Sequence, residues 1–241
     1  MSGPFGSSQW MYSSGGFYGF PIEQSLRFND DDGAYLSRTP ASAGNRKTWT
    51  WSGWVKRGNL TGTRQHIFNA YNGSNSNTGY NALRFQTDDT LQWLGYTTSY
   101  LKTSAVFRDT SAWYHIVLSV DTTNATGDDR QILYVNGERI TALSDNNNMV
   151  LNTDYAVNRP NAHRISEDLL GLNQHFDGYL SEVNFIDGQA LDPTSFGEFK
   201  SGVWIPKQYG GTYGTNGFRL SFADSSNIGD DTSGNTNDWT A

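Results

Sequence analysis

Alternating apolar and polar residues recur along most of this chain, and the alternation predicts β-strands with one buried face. In the strand after Trp113, the residues that we expect to face a core are Tyr114, Ile116, Leu118 and Val120. His115 lies on the opposite face, where we expect a hydrogen-bonded structural histidine. A polar loop and the strand "QILYV" follow. The pair Asn136-Gly137 then suits the positive φ angles of a type I′ turn, so "ERITAL" is the predicted return strand.

The same alternation recurs in "SLRF", "WTWSGWV", "ALRF", "LQW" and "GFRLSF". In "GYLSEVNFI", Tyr179, Val183 and Phe185 share one parity while Leu180 and Ile186 share the other, which predicts a strand covered on both faces. Helical patterns are weak, because two glycines limit "PTSFGEFKSG" to a turn or two. Ten or more strands with polar turns therefore predict an all-β fold, an antiparallel two-sheet jelly-roll sandwich.

The domain organisation follows from length and local composition. A chain of 241 residues fits one large all-β domain with extensions. We expect an extended aromatic arm over residues 1–22, a sandwich over 23–205, and a loop-rich extension with one strand over 206–241. The ending "DTSGNTNDWTA" resembles a strand interrupted before its partner, so we expect the natural polypeptide to continue.

Charge and residue usage exclude several classes of function. The formal net charge of -7 offers no basic field for a phosphate backbone, which disfavours nucleic-acid binding. The chain has no cysteine, so disulfides and thiolate metal sites are impossible. No apolar run is long enough to predict a membrane-spanning helix. The first twenty residues also lack the basic leader and continuous apolar core of a secretory signal.

Two resemblances add to this interpretation. The order "SLRFNDDDGAYLSRT", "WTWSGWVKR", "AWYHIVLSVD", "ILYVNGERI" and "HFDGYLSEVNFIDGQAL" resembles laminin-G-like domains of the concanavalin A superfamily, over residues 24 to 200. The sequence of residues 7 to 58 is similar to the amino-terminal part of virion proteins from marine, especially cyanobacterial, phages. This second resemblance implies a tail fibre or related appendage in the virion, a homotrimer, and other virion proteins, tail or portal-proximal, as partners.

The first charged residue is Glu23, so residues 1 to 22 form an uncharged, glycine-rich tail. Its predicted virion-anchoring residues are Phe5, Trp10, Tyr12, Phe17, Tyr18 and Phe20. Each ring can contribute a few kcal/mol, about 2 or more, when it is buried in a partner's pocket. The alternative is that these rings cover an edge of their own sandwich.

Two further sets of residues suit ligands. Amides and rings suited to a host surface glycan occur at Tyr71, Asn72, Asn75, Tyr80, Trp93 and Tyr96. The alternative is that they are ordinary loop residues and, for the later rings, core residues. In "NDDDG", Asp30 and Asp32 are candidate calcium ligands, although Asp-Gly pairs also occur simply because they form turns. We expect no other cofactor.

Catalytic patterns are missing from the sequence. None of the five glutamates opens the Glu-x-Asp-x-x-Glu pattern of glycosidases with this fold, and there is no "GxSxG" elbow. The histidines show no metal-binding spacing, so we expect neither a zinc site nor catalytic residues. The sequence therefore favours a non-catalytic phage virion structural protein, a tail-fibre component that supports host attachment. A carbohydrate-binding adhesin and a capsid decoration protein are the alternatives.

Overall fold

The computed structural model describes residues 17–60 and 62–241. Helical structure in these residues is limited to two 3-10 turns, Gly127–Asp129 and Pro193–Ser195. In chain order the strands are β1 (Leu26–Phe28), β2 (Leu36–Arg38), β3 (Thr48–Arg57), β4 (Gln65–Tyr71), β5 (Tyr80–Phe85), β6 (Thr90–Gly95), β7 (Ser99–Val106), β8 (Tyr114–Asp121), β9 (Gln131–Val135), β10 (Glu138–Arg139), β11 (Leu143–Asn146), β12 (Ala162–Ile165), β13 (Gly178–Asp187), β14 (Gly197–Lys200), β15 (Val203–Pro206) and β16 (Phe218–Leu220). Within the described ranges, no helix has the length and apolar character that crossing a bilayer requires.

The strands form two large antiparallel sheets and one small ribbon. The first sheet has the order β1-β13-β3-β8-β9-β10, with β16 also paired to β13. The second sheet has the order β11-β7-β6-β5-β4-β12-β2, and β14 pairs with β15 alone. The predicted all-β sandwich is therefore confirmed.

Large aromatic side chains fill the space between the two sheets. The rings of Trp49 and Trp93 meet edge to face at 5.6 Å, and those of Trp51 and Phe68 stack at 6.3 Å. Each pair joins the first sheet to the second. The predicted core face of β8 is also confirmed, because its Ile116, Leu118 and Val120 belong to the same buried cluster.

A β-bulge in β13 changes which residues face the core. Glu182 has a positive φ of 46°, and the register with β3 shifts between Ser181 and Asn184. Leu180 and Val183 consequently both point into the main core, although they lie three positions apart. The parity predicted for this strand was therefore wrong, and Tyr179 is exposed, because a bulge inserts a residue that strict alternation does not anticipate.

A third layer covers the outer face of the first sheet. Val117, Ile186, Phe196 and Tyr213 form a second buried cluster there, so the prediction that β13 is covered on both faces is confirmed. Trp204 of β15 donates its indole N–H to His115 Nδ1 at 3.0 Å. Because an indole nitrogen only donates, His115 carries its proton on Nε2 and donates to Ser52 Oγ at 2.9 Å.

The hairpin after β9 turns as predicted but its return strand is short. Asn136 and Gly137 have φ values of 50° and 84°, as a type I′ turn requires. The return strand covers only Glu138–Arg139, and a last backbone hydrogen bond runs from Ile140 N–H to the Leu133 carbonyl at 2.9 Å. The predicted strand "ERITAL" is wrong beyond that point, because the chain then crosses to the second sheet as β11.

Residues after 206 contribute to both the main core and the strand pairing. Phe218, Leu220 and Trp239 are buried in the main cluster. The backbone of Thr240 pairs with Ser37 of β2, with N–H···O distances of 3.0 and 2.7 Å in the two directions. These contacts hold the segment against the sandwich.

Three buried histidines predict that acid destabilises the fold. Burial lowers the pKa of His115 to about 3 and that of His163 to about 4, and burial with the nearby Arg84 charge lowers the pKa of His66. The unfolded chain takes up these protons near pH 6.5, whereas the folded chain does not. The free energy of unfolding should therefore fall by about 1.4 kcal/mol per pH unit for each histidine below that pH.

Urea unfolding at a series of pH values between about 7 and 5 measures this slope. The His115→Gln variant keeps an acceptor for Trp204, so its slope should be shallower by about one proton. Equal stability across this range would contradict the assignment of neutral buried histidines.

Candidate functional site

A pocket of about 570 Å³ opens on the face of the second sheet that is turned away from the main core. Strand β5 shows why it forms there: Leu83 and Phe85 point into the core, whereas Tyr80, Ala82 and Arg84 point outward. The residues that line the pocket are Arg64, Tyr71, Asn75, Tyr80, Arg84, Leu94, Tyr96, Leu169, Leu170 and Leu172. Rings, aliphatic groups and hydrogen-bonding groups therefore converge on one concave surface.

Three tyrosines give this pocket its aromatic surface. The rings of Tyr71 and Tyr80 meet edge to face at 6.1 Å. Tyr71 donates its hydroxyl to Asn75 Oδ1 at 2.7 Å, and the Tyr80 hydroxyl lies 3.0 Å from His66 Nε2. Burial raises the pKa of Tyr80, so its hydroxyl stays neutral. Tyr96 retains 38% of its surface exposed, which leaves its ring open to a ligand.

Two glutamines accept hydrogen bonds from the Nε atoms of the pocket's two arginines and so fix the position of each guanidinium. Arg64 Nε donates to Gln86 Oε1 at 3.1 Å, and Arg84 Nε donates to Gln92 Oε1 at 3.2 Å. Gln86 Nε2 also donates to Gln92 Oε1, and Gln92 Nε2 donates to Ser99 Oγ at 2.7 Å. The guanidinium groups are thus positioned by neutral amides rather than by carboxylates.

A loop with three leucines forms one wall of the pocket. Asp168 holds this loop, because its carboxylate accepts the backbone N–H of Leu170 at 2.6 Å and of Leu172 at 2.8 Å. Asp168 itself is buried. Leu172 is 54% exposed, so the loop presents an apolar edge to solvent beside the tyrosines.

The structure brings together four of the six residues predicted to bind glycan: Tyr71, Asn75, Tyr80 and Tyr96. Asn72 lies outside the pocket, where its side-chain oxygen accepts the backbone N–H of Ser74 at 2.8 Å. Trp93 is fully buried between the sheets, so the expectation that it contacts a ligand is wrong. Adjacent residues of a strand face opposite sides, which places Trp93 in the core and Leu94 in the pocket.

Sequence reasoning missed the arginines and the leucine loop. Arg84 alternates with Leu83 and Phe85 in "ALRF", so the period of the strand already indicated an outward-facing cation. The run "DLLGL" at residues 168–172 carries apolar residues without strand alternation, which indicated a loop packed on a surface. The location of that surface depends on the fold.

A second groove, of about 410 Å³, lies on the outer face of the first sheet beside the amino-terminal segment. Trp54, Trp113 and Trp204 contribute rings to it, and Tyr18 and Ile22 come from the segment itself. Ser181 Oγ donates to the carbonyl of Gln24, which attaches the segment to β13. This part of the arm therefore packs on its own subunit.

The predicted anchoring residues divide into two groups. Phe5, Trp10 and Tyr12 lie outside the described residues. Phe17 and Tyr18 are 40% and 55% exposed, and their rings meet edge to face at 5.2 Å. Phe20 is half-buried, with the Arg219 guanidinium 5.6 Å from its ring centroid.

The acidic candidates are engaged in ordinary hydrogen bonds. Asp30 Oδ2 accepts from Asn59 Nδ2 at 3.3 Å, and Asp32 Oδ2 accepts from Asn29 Nδ2 at 2.8 Å. Residues 17–60 and 62–241 contain no group of three or more His, Asp or Glu side chains placed to hold a metal ion.

Glu182 forms a two-pronged pair with Arg219, with both N···O distances at 2.8 Å.

Comparison with known protein families identifies the family to which the sandwich is similar. The family model Laminin_G_3, described as "Concanavalin A-like lectin/glucanases superfamily", matches residues 28–195. No curated protein is similar enough in sequence to count as a match.

Three solved structures illustrate the similarity. A SAP-like pentraxin from Limulus polyphemus is 17% identical, with 71% of this chain and 75% of that chain covered and a TM-score of 0.46. Mouse laminin alpha1 domains LG4-5 are 12% identical, with 71% and 44% covered and a TM-score of 0.48. Trypanosoma rangeli sialidase is 15% identical, with 62% and 22% covered and a TM-score of 0.45. The chain thus spans less than half of the laminin and sialidase chains.

Proposed function

This chain belongs to the concanavalin A-like lectin/glucanases superfamily, and we propose that it is a non-catalytic, carbohydrate-binding adhesion module that works in a phage tail fibre or related appendage. The observation that carries the proposal is that Tyr71 and Tyr96 line one outer pocket, with the buried Tyr80 ring packed against Tyr71. Tyrosine rings stack against the C–H faces of sugars, while amides and guanidiniums bond to hydroxyls.

The chemistry of the lining supports binding rather than catalysis. Glycosidases place two carboxyl groups on either side of the scissile bond, about 5 to 10 Å apart. Among the described residues that line this pocket there is no carboxylate. Glu167 and Glu182 are each paired with an arginine, Arg164 and Arg219. The pocket therefore offers contact surface and hydrogen bonds but no acid and nucleophile.

The virion location is supported by different observations. The similarity of residues 7 to 58 to phage virion proteins suggests an appendage, and the exposed rings of Phe17 and Tyr18 suit contact with a neighbouring virion protein. In this arrangement the amino-terminal segment attaches a homotrimer to the particle, at the tail or near the portal. The pocket on the opposite sheet then binds glycan on the host surface. A capsid decoration role is the alternative, and copy number per particle distinguishes the two.

We predict that Tyr96→Ala weakens glycan binding about tenfold, or about 1.4 kcal/mol, because it removes an exposed stacking surface without disturbing the core. A glycan array with the full chain first identifies ligands, and titration calorimetry then compares the variants. Tyr179→Ala is the matched control, since Tyr179 is an exposed tyrosine on the other sheet. If no glycan binds the wild-type chain, or if Tyr96→Ala binds as well as wild type, the carbohydrate-binding function is wrong.

We predict that the double variant Phe17→Ser, Tyr18→Ser enters phage particles at least about tenfold less often, because two rings no longer bury surface in a neighbour. Quantitative mass spectrometry of purified particles measures the copy number. Val150→Ser, Leu151→Ser is the matched control, since these exposed apolar residues lie elsewhere in the chain. Glycan binding should be unchanged in both. Incorporation of the Phe17, Tyr18 variant at the wild-type copy number would contradict the anchoring role.

A further inference from the structure

Arg84, in the wall of the proposed glycan pocket, forms no ion pair with any residue that the structure describes. Only 8% of its surface is exposed. Lys and Arg are rarely buried to this extent without a carboxylate partner, because an uncompensated buried charge is costly. Yet neither Arg84 nor Arg64 lies within 4.0 Å of a carboxylate in any ion pair among the described residues, all of which are formed by other arginines and lysines.

The hydrogen bonds of the two arginines leave their outer nitrogens available. Each guanidinium is held at Nε by a glutamine amide, Gln92 for Arg84 and Gln86 for Arg64. No acceptor among the described residues bonds to the Nη atoms of Arg84. Those Nη atoms are the part of the guanidinium that binds a planar oxyanion in a two-pronged manner.

The carboxylate that acts on Arg84 through space, Asp168, does not form an ion pair with it. The Asp168 carboxylate raises the pKa of Arg84 through space, but its oxygens accept the backbone N–H groups of Leu170, Leu172 and Gln174. Burial lowers the pKa of Arg84 to about 10, so the group remains charged at neutral pH. The pocket thus contains a fixed positive charge with an open hydrogen-bonding edge.

We propose that the pocket selects glycans that carry an oxyanion, a carboxylate or a sulfate, and that Arg84 binds this group with Arg64 at the rim. The proposal rests on the carbohydrate-binding function proposed above. The rings of Tyr71 and Tyr96 would contact the face of the sugar, and the arginine Nη atoms would donate to its anionic group. Because the chain's net charge of -7 repels anions at long range, a preference for acidic sugars has to come from this local site.

The test uses matched acidic and neutral ligands. Trigalacturonic acid and its methyl ester share a sugar backbone and differ in charge, and an array adds carboxylated, sulfated and neutral glycans. We expect the wild-type chain to bind acidic members at least about tenfold more tightly than their neutral counterparts. Arg84→Gln should abolish the difference, and Arg84→Lys should retain part of it. Arg139→Gln, in an exposed ion pair on the first sheet, should bind as wild type.

Thermal unfolding separates ligand binding from a structural role of Arg84. Removal of an unpaired buried charge should leave the melting temperature of Arg84→Gln unchanged or higher, whereas loss of a structural contact would lower it. If Arg84→Gln does unfold at a lower temperature, Arg64→Gln at the exposed rim tests the same preference for acidic ligands. If Arg64→Gln then binds acidic glycans with the same preference as the wild-type chain, the proposal is overturned.

The remaining outcomes distinguish the two proposals. Binding of neutral and acidic glycans with equal affinity, sensitive to Tyr96→Ala but not to Arg84→Gln, would overturn the acidic preference and leave carbohydrate binding intact. Absence of binding to every glycan would overturn both. If the chain binds free sulfate but binds no glycan on the array, this proposal is also overturned, because the arginines would then form an anion site that takes no sugar.

Discussion

Aromatic contact between the two sheets is the interaction on which the rest of this structure depends. The chain has no cysteine, so its stability rests on buried surface rather than on covalent links. Trp49 and Trp51 of the first sheet meet Trp93 and Phe68 of the second. Because these large rings occupy the inner faces, each sheet keeps an outer face on which other groups can be placed. The fold thereby separates the residues that stabilise it from those available to ligands.

The two outer faces are used differently. On the first sheet, the β14–β15 ribbon and the amino-terminal segment cover much of the surface, and Trp204 joins the ribbon to His115 by a hydrogen bond. On the second sheet, the loop held by Asp168 covers only part of the face and leaves a pocket beside Tyr96. The outer face of the first sheet thus packs against other parts of the chain, whereas that of the second sheet keeps a pocket lined by rings and arginines.

Two buried arginines differ in how their charge is compensated. Arg57 is buried at the edge of the core and is compensated by Asp89 at 2.9 Å and by the Phe107 carbonyl at 2.8 Å. Arg84 is nearly as buried, but among the described residues its hydrogen-bond partner is the Gln92 amide. A protein tolerates such an uncompensated charge where function requires it, since the stability lost is a small part of that supplied by the aromatic core. The contrast between Arg57 and Arg84 is the physical basis of the proposed oxyanion site.

The sequence by itself determined several of the strands, the hairpin turn at Asn136-Gly137 and the all-β sandwich, because period-two alternation and positive-φ turn residues are local properties. It also indicated the tyrosines of the pocket. Only the tertiary structure decided that Trp93 is core, that the bulge at Glu182 changes the parity of β13, and that the leucines near residue 170 lie beside Arg84. Bulges and contacts between residues far apart in sequence depend on how the sheets pair, and no local pattern encodes that pairing.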